Sequence, residues 1–346
     1  MSGHVHVEER NGLGLLVLDR PEALNALSHR MVQTVSAALS RWRADPGIRA
    51  VLVKAVPGRA FCAGGDIRVV IETARRKGVA AAAPFFFDEY RMNWRIGQLG
   101  KPYVALLDGI TMGGGVGISV HGSHRIATES TLVAMPETGI GFFPDVGGSH
   151  FLPRLPGRIG LYLGLTGARL DGATATRLGI ATHYVPRLRL AVLEAALVDG
   201  AAIDDVLGEL AAEPAPGGLD TAAIARHFVG DGLADILASL AADDSPFASR
   251  TLAALREKSP LSVAVTMAQL RRGRSLDLAA CLAMEYRMAR HFLASSDFAE
   301  GVRALLVDKD KRPAWRHARI EDVAAAEIEA CFVAAAGGEL TCDWND

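Results

Sequence analysis

The sequence predicts an α/β core followed by a helical region. Three observations carry that expectation. Short apolar runs alternate with stretches of helical period up to about Thr182, and an alanine-rich helical texture dominates beyond it. The dense glycine clusters of the chain fall in its first half. There are 36 glycines in 346 residues, about 10% against a usual ~7%, with no triplet period that would mean collagen.

The elements follow in order. Val5–Val7 and Leu13–Leu18 read as a β-hairpin turned at Asn11-Gly12. Met31, Val35, Ala38, Leu39 and Trp42 recur at helical spacing. Ala50–Ala55 is a short strand, Ile67–Lys77 a helix, and a further helix lies around Phe86–Leu99. Tyr103–Leu107, after Pro102, is a buried strand. Gly115–His121 starts a helix, and Ile126–Ala127 and Leu132–Ala134 are short strands. The later helices are Leu190–Leu210, Thr221–Phe228, Leu233–Leu240, Phe247–Glu257, Val263–Leu270 and Leu276–Leu293, with a loop at Pro214, Pro216, Gly217 and Gly218. We expect a core over residues 1–185, holding the site, and a helical region over 186–346.

Composition excludes several classes. With 50% hydrophobic and 22% charged residues, the chain can build a core and is not disordered. A net charge of −2, from 37 basic and 39 acidic residues, gives no general attraction to nucleic acid or an anionic membrane. The first ten residues lack the apolar stretch of a secretory signal, and no apolar run reaches the ~18 residues of a membrane span. Cys62, Cys281, Cys331 and Cys342 form no CxxC pair, so reduced thiols and a cytoplasmic setting are expected. Small-residue packing accounts for Cys62 better than a nucleophilic role.

The glycine clusters are Gly64-Gly65, Gly113-Gly114-Gly115 with Gly117, Gly139 with Gly141, and Gly147-Gly148. Glycine allows close backbone approach, and a cluster opening a helix offers free N–H groups to an anion. No GxGxxG follows a strand, there is no P-loop, and Gly117-Ile-Ser119-Val-His121 lacks the last glycine of a nucleophile elbow. His121 and His124 have no HExxH setting, so no metal is expected and packed or surface roles account for both. Two acids stand among the glycines. Glu137 follows Pro136, and Asp145 follows Pro144, with Phe142 and Phe143 between them. Apolar neighbours would raise their pKa values. Alone, Asp145 reads equally as the N-cap of a helix starting near Val146, and Glu137 as a surface carboxylate. An anion cradle beside carboxylates suits acyl or enolate chemistry, in which backbone N–H groups hold a developing oxyanion.

At these residues the chain resembles the crotonase (enoyl-CoA hydratase/isomerase) superfamily. The general match is carried by Leu18-Asp-Arg-Pro-Glu-Ala-Leu-Asn-Ala-Leu27, Gly58-Arg-Ala-Phe-Cys-Ala-Gly-Gly-Asp-Ile67 and Lys101-Pro-Tyr-Val-Ala-Leu-Leu-Asp-Gly-Ile110. More specific are Phe86-Phe-Asp-Glu-Tyr90, the stretch Gly109–Gly122, Met135-Pro-Glu-Thr-Gly-Ile-Gly-Phe-Phe-Pro-Asp-Val-Gly-Gly148 and Phe151-Leu-Pro-Arg-Leu155. Met284-Glu-Tyr-Arg287 and Asp297-Phe-Ala-Glu-Gly-Val-Arg-Ala304 also fit. These resemble the 3-hydroxyisobutyryl-CoA hydrolase branch most.

The resemblance implies a crotonase-like spiral of ββα turns with a helical C-terminal region. It implies a CoA thioester whose carbonyl sits between the N–H groups of Gly65 and Gly114, with Glu137 and Asp145 catalytic and Glu89 on the substrate side. Ala63, Gly64, Gly65, Asp66 and Ile67 would line the CoA path, with Leu24 at its adenine end. Hydratases of this type carry a second glutamate two residues after the triple glycine, where this chain has Gly117. Asp145 instead matches the hydrolases. The expected reaction is therefore hydrolysis of 3-hydroxyisobutyryl-CoA, a step of valine breakdown, with no cofactor beyond the CoA of the substrate. The alternatives are an enoyl-CoA hydratase/isomerase and a non-catalytic acyl-CoA-binding protein. Arg68, Arg303 and Lys309 are candidates for the CoA phosphates, although ordinary solvated charge accounts better for each one singly. The only expected partner besides substrate is a second copy, in a trimer or smaller homo-oligomer.

Overall fold

The computed structural model describes residues 4–215, 217–230, 232–334 and 338–344. Met1–Gly3, read above with the N-terminus, and Pro216, read as part of a loop, lie outside them. The hairpin forms as the sequence predicts. β1 (Val5–Arg10) pairs antiparallel with β2 (Leu13–Leu18), and Asn11 and Gly12 both take positive φ, 48° and 78°, as a tight hairpin turn demands.

The later strands are β3 (Ala50–Ala55), β4 (Ala60–Cys62), β5 (Tyr103–Leu107), β6 (Ile110–Met112), β7 (His124–Ala127), β8 (Leu132–Ala134), β9 (Leu170–Asp171) and β10 (His183–Tyr184). They sort into a six-stranded sheet, order β1-β2-β3-β5-β7-β10, and a four-stranded sheet, order β4-β6-β8-β9. Pairing is parallel except for β1 with β2 and β8 with β9. Successive strands visit the two sheets in turn: β3 then β4, β5 then β6, β7 then β8. Helix Ile67–Lys77 follows β4, helix Gly114–Val120 follows β6, and the 3-10 turn Glu137–Ile140 follows β8. This is a spiral of ββα turns.

All six residues of β2 are buried, because the large sheet is covered on both faces. Successive side chains point to opposite sides. Leu16 and Leu18 join the main core with Val35 and Leu39 of helix His29–Ala44. Leu13, Leu15 and Val17 join a second cluster with Leu193, Leu197, Ile203, Val206 and Leu207. The single helix predicted over 190–210 is two helices, Leu190–Val198 and Ile203–Leu210. Gly200, at φ 99°, turns the chain between them, so both lay an apolar side on the sheet. The helix expected from Phe86 starts earlier, at Val79, and runs through Pro84 to Gly97. Pro84 lies in its second turn, where the missing N–H costs one bond, and alanines 80–83 supply the preceding turn.

Three helices of the C-terminal half, Pro246–Arg256, Pro260–Gly273 and Leu278–Leu293, start behind Ser245, Ser259 and Asp277. Each of these side chains accepts the backbone N–H three residues on, the usual N-cap bond. Leu282, Met288 and Phe292 on one helix, and Val263, Val265 and Leu270 on another, enter the same core as the spiral. No helix among the described residues is long and apolar enough to cross a membrane.

Candidate active site

β4, β6 and β8 are adjacent and parallel, so their C-terminal ends lie side by side. Those ends carry Ala63–Asp66, Gly113-Gly114 and Met135–Glu137 in turn. Gly113, at φ 49° and ψ −119°, holds a conformation that side chains rarely adopt. It lets the backbones converge. A Cβ on Gly114 would lie only 3.1 Å from the Gly65 nitrogen, and one on Gly115 would lie 2.0 Å from the Cys62 carbonyl oxygen. Among the described residues, neither the Gly65 nor the Gly114 N–H donates to a protein acceptor. Two free donors therefore stand together at the strand ends, the arrangement that stabilises an oxyanion.

A loop lies along this edge. Leu27 N–H donates to Gly64 O at 2.8 Å, Asp66 N–H to Leu27 O at 2.8 Å, and Ala63 N–H to Leu24 O at 3.0 Å. Asn25 ties the loop down by donating to Ala60 O at 2.9 Å, and Arg20 reaches Asp66 at 2.8 Å. Leu24 and Asn25 take positive φ, 51° and 56°, to make the bend. Leu24, Ala63, Gly64, Gly65, Asp66 and Ile67 thus form one continuous surface, although the Asp66 carboxylate is already engaged by Arg20. Cys62 is fully buried, and burial pushes its thiol up to about 12, in keeping with packing.

The structure gathers the acids beside the donors. Glu89 comes from helix Val79–Gly97; its Oε1 would be 2.6 Å from a Cβ placed on Gly114. Glu137 Oε1 would be 2.8 Å from a Cβ on Gly113. Glu89 is 2% exposed, and Glu137 and Asp145 are each 6% exposed. Glu89 Oε1 and Glu137 Oε2 are buried without a hydrogen-bond partner. Burial, then the neighbouring Asp145 charge, holds both glutamates well above the usual carboxylate range. Burial lifts Asp145 to about 7 against the opposing hydrogen bond from Tyr90. Phe142 stacks on Phe143 and Phe298 with centroids 4.3 Å apart in each pair, and on Phe86 at 5.4 Å. Phe142 and Phe143 of this aromatic wall are the apolar residues that the sequence places between the two acids.

Asp145 does not cap a helix, contrary to the alternative the sequence left open. The next helix starts at Gly148 with Gly147 as its N-cap residue, and the Asp145 carboxylate accepts the Tyr90 hydroxyl at 2.8 Å. The reason lies in Val146, which takes φ 51°, a genuine outlier for a β-branched residue. Side chains hold this turn in place. Gln269 donates to Pro144 O at 2.6 Å. His121 Nε2–H donates to Val146 O at 2.8 Å, and burial lowers its pKa to about 4, so the ring is neutral. Glu285 accepts from Gly147 N–H at 2.7 Å, from Ser149 N–H at 2.9 Å and from the Ser149 hydroxyl. Burial raises Glu285 to about 8 against those three bonds. Sequence reasoning gave Tyr90, Gln269 and Glu285 no role. Their signal was present: Glu285 falls on the apolar stripe of Cys281, Leu282, Met284, Met288 and Phe292.

Gly117 has a physical reason. A Cβ there would lie 2.6 Å from Val146 Cβ and 3.0 Å from Asn93 Nδ2. The volume that a second hydratase glutamate would need is filled. Of the basic candidates, Arg303 is spent on Glu300, Asp308 and Asp310, while Arg68 and Lys309 are exposed.

A spiral of ββα turns with paired backbone donors at its strand ends defines a class. The enoyl-CoA hydratase/isomerase family model matches residues 13–332, and the chain belongs to that family. Among individual proteins, it is 44% identical over 339 residues to the mitochondrial 3-hydroxyisobutyryl-CoA hydrolase of Xenopus laevis, covering 94% of this chain and 88% of that one. The corresponding protein of Rattus norvegicus is 43% identical over 343 residues, covering 96% and 89%. Among solved structures, a carnitinyl-CoA dehydratase from Mycobacterium thermoresistibile superposes with a TM-score of 0.93 at 42% identity, covering 99% of each chain.

Proposed function

We propose that this protein hydrolyses a short 3-hydroxyacyl-CoA thioester, 3-hydroxyisobutyryl-CoA, to 3-hydroxyisobutyrate and free coenzyme A, in the breakdown of valine. The observation that carries the reading is the pairing of Asp145 with a filled space at Gly117. Adding water to an enoyl group with two glutamates needs a carboxylate where Val146 and Asn93 leave no room. Cleaving a thioester needs one carboxylate at the carbonyl carbon and a proton for the departing sulfur.

The thioester oxygen rests on the Gly65 and Gly114 N–H groups, which meet the charge as it develops. Glu137, in the ionised form that its burial disfavours, supplies the carboxylate, by attack on the carbonyl carbon or as base for water. In both routes the C–S bond breaks, a C–O bond forms, and one water supplies the acid oxygen. Asp145, near 7, carries a proton in part of the population at neutral pH. It orients the substrate hydroxyl or water, or protonates the leaving thiolate. Glu89 lies on the substrate side. Leu24, Ala63, Gly64, Asp66 and Ile67 line the CoA path.

The dehydratase among the solved relatives favours a second reading, hydration or dehydration of an acyl-CoA. One assay separates the two. Purified protein is given 3-hydroxyisobutyryl-CoA and crotonyl-CoA, following free thiol and loss of the enoyl absorbance. Thiol release from the first with the second untouched is expected. Hydration of crotonyl-CoA without thiol release would overturn the hydrolase reading.

A further inference from the structure

Among the described residues, Asn93 is a polar side chain beside this site that the mechanism above leaves idle. It is 0% exposed, and both Nδ2 and Oδ1 are buried without a hydrogen-bond partner. Buried amides are nearly always paired. Asn93 stands one helical turn after Glu89, on the same side of helix Val79–Gly97. Gly117 likewise stands one turn after Gly114 on its own helix. Glu89 faces Gly114, and Asn93 Nδ2 lies 3.0 Å from where a Gly117 Cβ would be. The amide is thus about 5.4 Å, one helical pitch, further along than the group that meets the thioester carbonyl.

The unmet needs define the ligand. Nδ2 requires an acceptor and Oδ1 requires a donor. A hydroxyl provides both on one atom. The proposed acyl group carries its hydroxyl two carbons from the carbonyl carbon, and that reach plus one hydrogen-bond length is a separation of this order. We propose that Asn93 is a specificity-determining residue whose carboxamide binds the 3-hydroxyl of the acyl chain. This rests on the hydrolase reading. It gives the site a way to distinguish a hydroxyacyl thioester from the plain acyl thioester, since a site built to pair a hydroxyl rejects the analogue lacking it. Asp145 then remains available to water and the leaving thiolate.

The test compares 3-hydroxyisobutyryl-CoA with isobutyryl-CoA, which differs only in that hydroxyl, using wild type, Asn93→Leu and Asn93→Ser. Wild type is expected to favour the hydroxylated thioester in kcat/KM by at least about 10²-fold. Asn93→Leu, close to Asn in volume, should lower that ratio to about 10 or less through loss on the hydroxylated substrate alone. Asn93→Ser should shift it the same way and serves if the leucine variant folds poorly. An equal fall on both substrates would assign Asn93 to packing or to a buried water and overturn the proposal. An unchanged ratio would do so too. Wild type that releases thiol from neither substrate would instead remove the hydrolase reading, and the proposal with it.

Discussion

Gly65, Gly114 and Glu137 sit at the ends of three hydrogen-bonded strands, whereas Asp145 sits on a turn that no strand holds. The first group is positioned by backbone. Its spacing follows from the register of β4, β6 and β8 and from glycines that let the chains close up. The second is positioned by side chains from three helices, Tyr90, Gln269 and Glu285, and by His121 at the C-terminal end of a fourth. Two of these reach back across 125 and 138 residues of sequence. These strands are short, but their ends are held by backbone ladder bonds, which a side-chain substitution does not remove. The Asp145 turn holds Val146 in a costly conformation and depends on a few buried polar contacts, each of which one substitution removes.

The contrast can be broken experimentally. The largest effect should come from Glu137→Gln. It keeps shape while removing the carboxylate, and kcat should fall about 10³-fold or more with KM little changed. A loss under about tenfold would take Glu137 out of the chemical step.

A sharper test sets one substitution on each side. Gly114→Ala drives a methyl toward Glu89 Oε1 and the Gly65 nitrogen and should cost about 10²-fold in kcat. Glu285→Gln turns an amide donor toward N–H groups that need an acceptor, and should cost about tenfold in kcat with a lower Tm. If the two sides are independent, the double variant should show the product of the two losses. A marked departure from that product would mean the strand ends and the turn move together.

The smallest effect is in stability. Folding raises the pKa of Asp145 from 3.8 to about 7 and of Glu285 from 4.5 to about 8, and raises Glu89 and Glu137 as well. The folded chain therefore keeps protons that the unfolded chain has released, so stability is greatest below about pH 4 on this account and declines as pH rises toward 8. Thermal melts at pH 5 and pH 8 should show a smaller decline for Glu137→Gln, whose Tm at pH 8 should exceed that of wild type by about 2 °C. A steeper decline in the variant would contradict the burial of a carboxylate at 137.

Much of the spiral was legible because its signals are local. Ala50–Ala55, Ile67–Lys77 and Leu132–Ala134 have the predicted bounds, each a strong period or apolar run closed by turn residues. The break at Gly200 was missed because an alanine-rich stretch has little period for a glycine to interrupt. Gly65, Gly114, Glu137 and Asp145 stand in glycine-dense motifs, and the structure brings all four together with Glu89. Gln269, Glu285 and Asn93 could be seen as polar residues at core positions. What Gln269 and Glu285 face depends on how the C-terminal helices dock on the spiral, and what Asn93 faces on how helix Val79–Gly97 lies against Gly117; no short-range pattern encodes either. The role of Val146 was invisible, since nothing in its neighbours calls for a left-handed valine.

Position 117 also constrains how this chain can change by descent. A glutamate introduced there alone meets Val146 and Asn93, so the substitution that would restore a second hydratase acid is harmful until position 146 has yielded first. A smaller residue at 146 would loosen the turn that presents Asp145 before any new carboxylate arrived. Either order of these two substitutions therefore passes through an intermediate poor at both chemistries. The valine acts as a ratchet that keeps the lineage on one side.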